Sequence, residues 1–173
     1  MAKLLMCDLD GTLVENQQHY PPIFLPGVIQ GLQLLSLNDW KFAITTNQPA
    51  YDFRKENFGE VRACKDVHET DMVKDYVDYR MSVVSREMGK EIRSKVDVYY
   101  CPHIDEEECS CRKPKAGLIL GVIGDFELEH PGSNLYWMVG DKWSDVMAAK
   151  AVGVKVALVL QTFGYIHSPD VVF

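Results

Sequence analysis

Two hydrophobic periods alternate along the chain. Lys3–Cys7 (KLLMC) is a short apolar run that ends in acidic residues and Gly-Thr, the pattern of a buried strand running into a loop. Gly27–Leu37 carries apolar residues at 28, 29, 32, 34, 35 and 37, which form a helical face, and Lys41–Thr46 (KFAITT) reads as a second strand. From Thr70 to Ile92, Val73, Val77, Met81, Val84, Met88 and Ile92 recur every three or four positions, which predicts a long amphipathic helix. Beyond it the pattern predicts a strand over Val96–Tyr100, a helix over Ala116–Ile123, a strand over Leu135–Val139, a helix over Ser144–Val152 and a fifth strand over Val154–Leu160.

Apolar strands alternating with helices predict an α/β protein: a Rossmann-like parallel sheet with helices on both faces. Ligands of such sheets bind beyond the carboxyl ends of the strands. The chemically distinctive residues all follow strands: Asp8 and Asp10 the first, Thr46 and Asn47 the second, a Cys/His cluster the third and Asp141 the fourth. No repeat, low-complexity stretch or linker interrupts residues 1–173, so a single domain is expected.

Composition narrows the picture. A chain of 173 residues, 47% hydrophobic and 25% charged, buries a full core, so neither disulfides nor oligomerisation is needed and a monomer is expected. The net charge of −7 and the lack of a dense basic stripe argue against nucleic acid as a partner. No apolar run approaches the roughly 20 residues of a membrane span. The N-terminus turns acidic too early for a signal peptide, so a cytoplasmic protein without membrane attachment is expected.

Asp8-Leu-Asp10-Gly11-Thr12 sets two carboxylates two residues apart at a strand end. In a continuing strand they would point to opposite faces. They serve one site only if the chain turns, which Gly11 permits. Alone this is an ordinary acidic turn. A second acidic strand end, Gly140-Asp141-Lys142-Trp143-Ser144-Asp145, changes the reading. Asp8 and Asp141 supply the hard oxygen ligands Mg²⁺ requires, with substrate phosphate and water completing its octahedron. Lys142 reads equally well as a surface residue.

Cys101-Pro-His103 and Cys109-Ser-Cys111 offer three thiolates and an imidazole within eleven residues. This Cys₃His set suits a closed tetrahedral Zn²⁺ site, so 101–111 is expected to be a zinc-binding loop. A closed shell leaves no position for a catalytic water, and the value of the zinc lies in pinning the adjacent Arg112-Lys113-Pro114. Cys7 and Cys64 read as free structural thiols.

The pattern resembles the haloacid dehalogenase superfamily over nearly the whole chain. Asp8-Leu-Asp10-Gly11-Thr12 is similar to its first motif, Thr46 to the second, Lys113 to the third, and Asp141 with Asp145 to the fourth. The resemblance implies a phosphatase in which Asp8 attacks phosphorus to form an aspartyl-phosphate. Asp10 would protonate the leaving oxygen and then deprotonate water, its backbone carbonyl joining Asp8 and Asp141 around Mg²⁺. Thr46 and Lys113 would hold the transferring phosphoryl oxygens, with Asn47 and Arg112 among the phosphate-binding residues. Asp145 would orient either a metal-bound water or Lys113.

Cys-x-His…Cys-x-Cys-Arg-Lys-Pro is similar to the branch of heptose 1,7-bisphosphate and histidinol-phosphate phosphatases, as is Thr46-Asn47-Gln48. Leu9 departs from that branch, which usually carries Arg there, and Pro49–Lys55 departs from a small Gly-containing segment. The short spacing between the first two motifs leaves no room for a large cap domain. Arg54, Lys55, Arg62 and Lys65 are loop candidates for a second phosphate or carboxylate. The main expectation is a Mg²⁺-dependent hydrolase of a small phosphorylated metabolite, such as a sugar bisphosphate of carbohydrate metabolism. Histidinol phosphate, a polynucleotide 3′-phosphate, and a zinc-binding interaction module on an inactive scaffold stay open as alternatives.

Overall fold

The computed structural model describes residues 3–15, 22–48, 69–128 and 134–160, with side-chain surroundings in the long helix given from Val77 onward. Arg54, Lys55, Arg62, Lys65, Cys64 and Pro49–Lys55 lie outside the described residues. The elements follow the hydrophobic periods: β1 (Lys3–Cys7), α1 (Val28–Ser36), β2 (Trp40–Asn47), α2 (Glu69–Ile92), β3 (Val96–Cys101), a 3₁₀ turn (Asp105–Glu107), α3 (Gly117–Asp125), β4 (Tyr136–Gly140), α4 (Trp143–Ala151) and β5 (Lys155–Leu158). Strand β5 is shorter than Val154–Leu160, and Val154 is instead bonded back to Ala149 at the end of α4.

All five strands are parallel in the order β3-β2-β1-β4-β5. Side chains alternate between the two faces, as the pleat requires. Leu5, Cys7, Phe42 and Ile44 join α1 and α2 residues such as Leu32, Val77, Val84 and Met88 in one core. Leu4, Met6, Ala43 and Met138 face the other way, onto Ile119, Val122, Ala148 and Ala149 of α3 and α4. No helix among the described residues is long and apolar enough to cross a membrane.

This topology positions the site. The chain proceeds from β1 outward to β2 and β3, then returns to add β4 and β5 on the other side. The reversal lies between β1 and β4, where a crevice opens beyond the strand ends in sheets of this kind. The register pairs Cys7 with Val139, and Asp8 N–H donates to Val139 O at 2.8 Å. Asp8 and Asp141 therefore leave the sheet side by side.

Candidate active site

The chain turns immediately after Asp8. The amides of Thr12, Leu13 and Val14 all bond to Leu9 O, and Gly11 has φ 82°, a left-handed conformation that glycine adopts without a Cβ clash. Asp8 is buried, and Lys113 Nζ donates to its Oδ1 at 2.7 Å. The same ammonium lies 2.6 Å from Asp145 Oδ1 and donates to Thr45 O at 2.7 Å. Asp145 Oδ2 caps α4 by accepting from Lys142 N–H at 3.1 Å. Thr12 Oγ1 donates to Asp141 Oδ1 at 3.5 Å.

Carboxylate oxygens of Asp8, Asp141 and Asp145 come within 4.8 Å of one another. Burial raises the pKa of both Asp141 and Asp145; for Asp145 the Lys113 charge pulls the other way, and for Asp141 the Lys142 charge does. Three clustered carboxylates against one buried lysine leave an excess of negative charge, the electrostatic setting a divalent cation neutralises. Both Asp145 oxygens are already engaged. That leaves Asp8 and Asp141 with the more available oxygens, and Asp145 aligned with Lys113.

Asn47, expected among the phosphate-binding residues, clamps the loop at the Lys113 backbone. Its amide donates to Lys113 O at 2.9 Å and accepts from Lys113 N–H at 3.0 Å. Arg112 is likewise engaged within the loop, ion-paired with Asp105 and donating to His103 O at 3.0 Å. Thr46 is buried at the end of β2, its Oγ1 accepting from Gln48 Nε2 at 3.0 Å.

The four soft ligands converge as their spacing predicts. Cys101, Cys109 and Cys111 sulfurs are 3.3–3.6 Å apart, and His103 Nδ1 lies 3.4 Å from Cys101 Sγ and 3.2 Å from Cys111 Sγ. A tetrahedron with zinc–sulfur bonds of about 2.3 Å has edges of roughly 3.8 Å, so the donor set fits that ion with a small expansion. Burial raises the Cys101 thiol. Burial acts on Cys109 too, but the Arg112 N–H and the neighbouring thiols outweigh it and bring Cys109 down to about 7, towards the thiolate that binds metal.

Two site residues have roles the sequence reading did not assign. Gln48, 0% exposed, donates to Asp10 Oδ2 at 2.6 Å, and Arg80 of α2, 4% exposed, faces the same carboxylate. Arg80 lies three residues after Val77 and four before Val84, inside the apolar stripe of the helix. A charge on a buried stripe demands a partner, and that is the signal that finds it.

Known proteins agree with this architecture. A HAD-hydrolase-like family model matches residues 110–164. A D-glycero-beta-D-manno-heptose-1,7-bisphosphate 7-phosphatase of Neisseria meningitidis is 30% identical over 91% of this chain and 77% of its own length. The chain belongs to the haloacid dehalogenase superfamily of phosphatases. A second superfamily phosphatase of the same description, from Pseudomonas aeruginosa, is 32% identical over 90% of this chain and 80% of its own. The crystal structure of a D,D-heptose 1,7-bisphosphate phosphatase from B. bronchiseptica, complexed with magnesium and phosphate, shares the fold. It has a TM-score of 0.66 at 22% identity, covering 90% of this chain and 79% of that one.

Proposed function

We propose that this superfamily member is a Mg²⁺-dependent phosphate monoester hydrolase that removes phosphate from a sugar bisphosphate, with Asp8 as the nucleophile. The observation that carries the reading is the buried Asp8 carboxylate held by Lys113 beside Asp141. Asp8 and Asp141, with the Asp10 carbonyl, would hold Mg²⁺. That ion supplies charge neutralisation for the phosphoryl group.

An Asp8 oxygen attacks phosphorus, the bond from phosphorus to the sugar oxygen breaks, and Asp10 delivers a proton to the departing oxygen. Asp10 then takes a proton from water as that water attacks phosphorus. The Asp8–phosphate bond breaks, releasing inorganic phosphate and restoring the Asp8 carboxylate and the Asp10 carboxylic acid. Lys113 and Thr46 hold the phosphoryl oxygens. Asp145 fixes the Lys113 ammonium, and Asn47 fixes its backbone. Cys101, His103, Cys109 and Cys111 would hold a zinc ion that pins the loop carrying Arg112 and Lys113. The names of the Neisseria and Pseudomonas relatives support a heptose bisphosphate as substrate.

Phosphate release with added Mg²⁺ from heptose 1,7-bisphosphate, other sugar phosphates, histidinol phosphate and a 3′-phosphorylated oligonucleotide tests both parts. Turnover is expected to favour the sugar bisphosphate and to vanish in Asp8→Asn, because an amide is a poor nucleophile and a weak Mg²⁺ ligand. More than a few per cent residual activity in Asp8→Asn defeats the covalent mechanism. Preference for histidinol phosphate or the oligonucleotide defeats the sugar assignment.

A further inference from the structure

The described site contains a buried ion pair that the phosphoryl chemistry does not itself call for. Arg80 enters from the middle of α2, with its side chain 5% exposed, and its Nη2 lies 3.5 Å from Asp10 Oδ1. Its Nη1 donates to Gln48 Oε1 at 2.9 Å, and Gln48 Nε2 donates to Asp10 Oδ2 at 2.6 Å. The three side chains close a ring, and Gln48 extends it to Thr46 Oγ1 at 3.0 Å. Asp10 is thus gripped at both oxygens, from α2 on one side and from the end of β2 on the other.

A guanidinium in an apolar helix stripe is a poor stability device, because desolvation offsets most of the ion-pair attraction. An aliphatic residue would pack there with Val77 and Val84. What the arginine adds is direction: its planar fork sets one nitrogen towards Asp10 Oδ1 and the other on Gln48, which in turn holds Asp10 Oδ2, so the carboxylate's orientation is fixed through the ring. Each carboxylate oxygen carries two lone pairs, so one contact on each still leaves a place for a shuttled proton.

We propose that Arg80, acting with Gln48, is a positioning residue that holds the Asp10 carboxyl in line with the leaving oxygen of the substrate. The inference rests on the acid–base role given to Asp10 above. Its consequence is selective. A sugar alkoxide needs a proton as it departs, whereas p-nitrophenolate leaves without one, so loosening Asp10 penalises the first substrate and spares the second.

The test is the ratio of kcat/KM for a sugar phosphate to that for p-nitrophenyl phosphate, with Mg²⁺, in wild type, Asp10→Asn, Arg80→Met and Arg80→Lys. The ratio is independent of how much enzyme is folded. It reports the step in which the leaving group departs. Arg80→Met is expected to lower it by about 10- to 100-fold, the cost of misplacing a catalytic group by about 1 Å. Arg80→Lys should recover part of that loss, since lysine keeps the charge but not the fork.

Asp10→Asn is expected to lower the ratio at least as far. If it does and both Arg80 variants leave the ratio at the wild-type value, the positioning role is overturned while Asp10 keeps its own. If Asp10→Asn leaves the ratio unchanged, the acid–base reading falls and takes this proposal with it. Should Arg80→Met fail to fold, Arg80→Lys decides: a shift of about threefold or more upholds the proposal, and an unchanged ratio refutes it.

Discussion

Gly140 shows how tightly single residues define the site. A Cβ built there would stand 2.3 Å from Asp145 Oδ2 and 2.4 Å from its Cγ. Asp145 is 1% exposed with Lys113 on one oxygen and the Lys142 amide on the other, so it has no cheap way to move. Gly140→Ala is expected to destabilise by about 1–3 kcal/mol, the usual cost of overpacking. Through Lys113 it should also lower kcat/KM by on the order of 10²-fold. Gly31→Ala, in α1 with nothing within 4 Å of the added methyl, should instead stabilise by about 0.5–1 kcal/mol. Thermal melts and kinetics of the pair check this, and near-wild-type activity in Gly140→Ala would remove Asp145 from the placement of Lys113.

At the scale of elements, the segment between β3 and α3 links the Cys101/His103/Cys109/Cys111 cluster to Lys113. Cys109 Sγ accepts from Arg112 N–H, Arg112 is tied back to Asp105 and His103, and the next residue is Lys113. Asn47 supplies a second anchor from β2. Cys109→Ser should therefore weaken zinc binding and lower activity by up to about 10²-fold through misplaced cations. The sheet should survive, because helices cover both faces without help from metal. Zinc analysis, circular dichroism and kinetics of this variant decide the matter. Wild-type activity despite zinc loss would sink the positioning role, and complete unfolding would show that zinc holds the whole domain.

For the molecule as a whole, stability comes from two apolar layers sandwiching one sheet. Met138, 0% exposed in the centre of β4, belongs to the layer under α3 and α4, and Thr45 Oγ1 donates to its sulfur at 3.3 Å. Met138→Ala is expected to cost about 2–5 kcal/mol in urea unfolding, the range for a truncated core side chain that leaves a cavity. A cost below about 1 kcal/mol would mean that this layer is poorly packed or collapses freely around the deletion.

Residue order alone determined the strands, the helices, their alternation and the residues at strand ends. Hydrophobic period is local: it depends on which side chains lie two or 3.6 positions apart. Asp8, Asp10, Lys113, Asp141 and the Cys101/His103/Cys109/Cys111 cluster stand out in the sequence for the same reason, since each belongs to a short motif. Only the tertiary structure decided who meets whom. Strand order and register bring Asp141 to Asp8, and place Lys113 between Asp8 and Asp145. They also turn Asn47 to the Lys113 backbone and bring Arg80, 70 residues away in sequence, to Asp10. Those contacts join segments whose separation carries no period, and a buried charge reveals its partner only once the chain has closed around it.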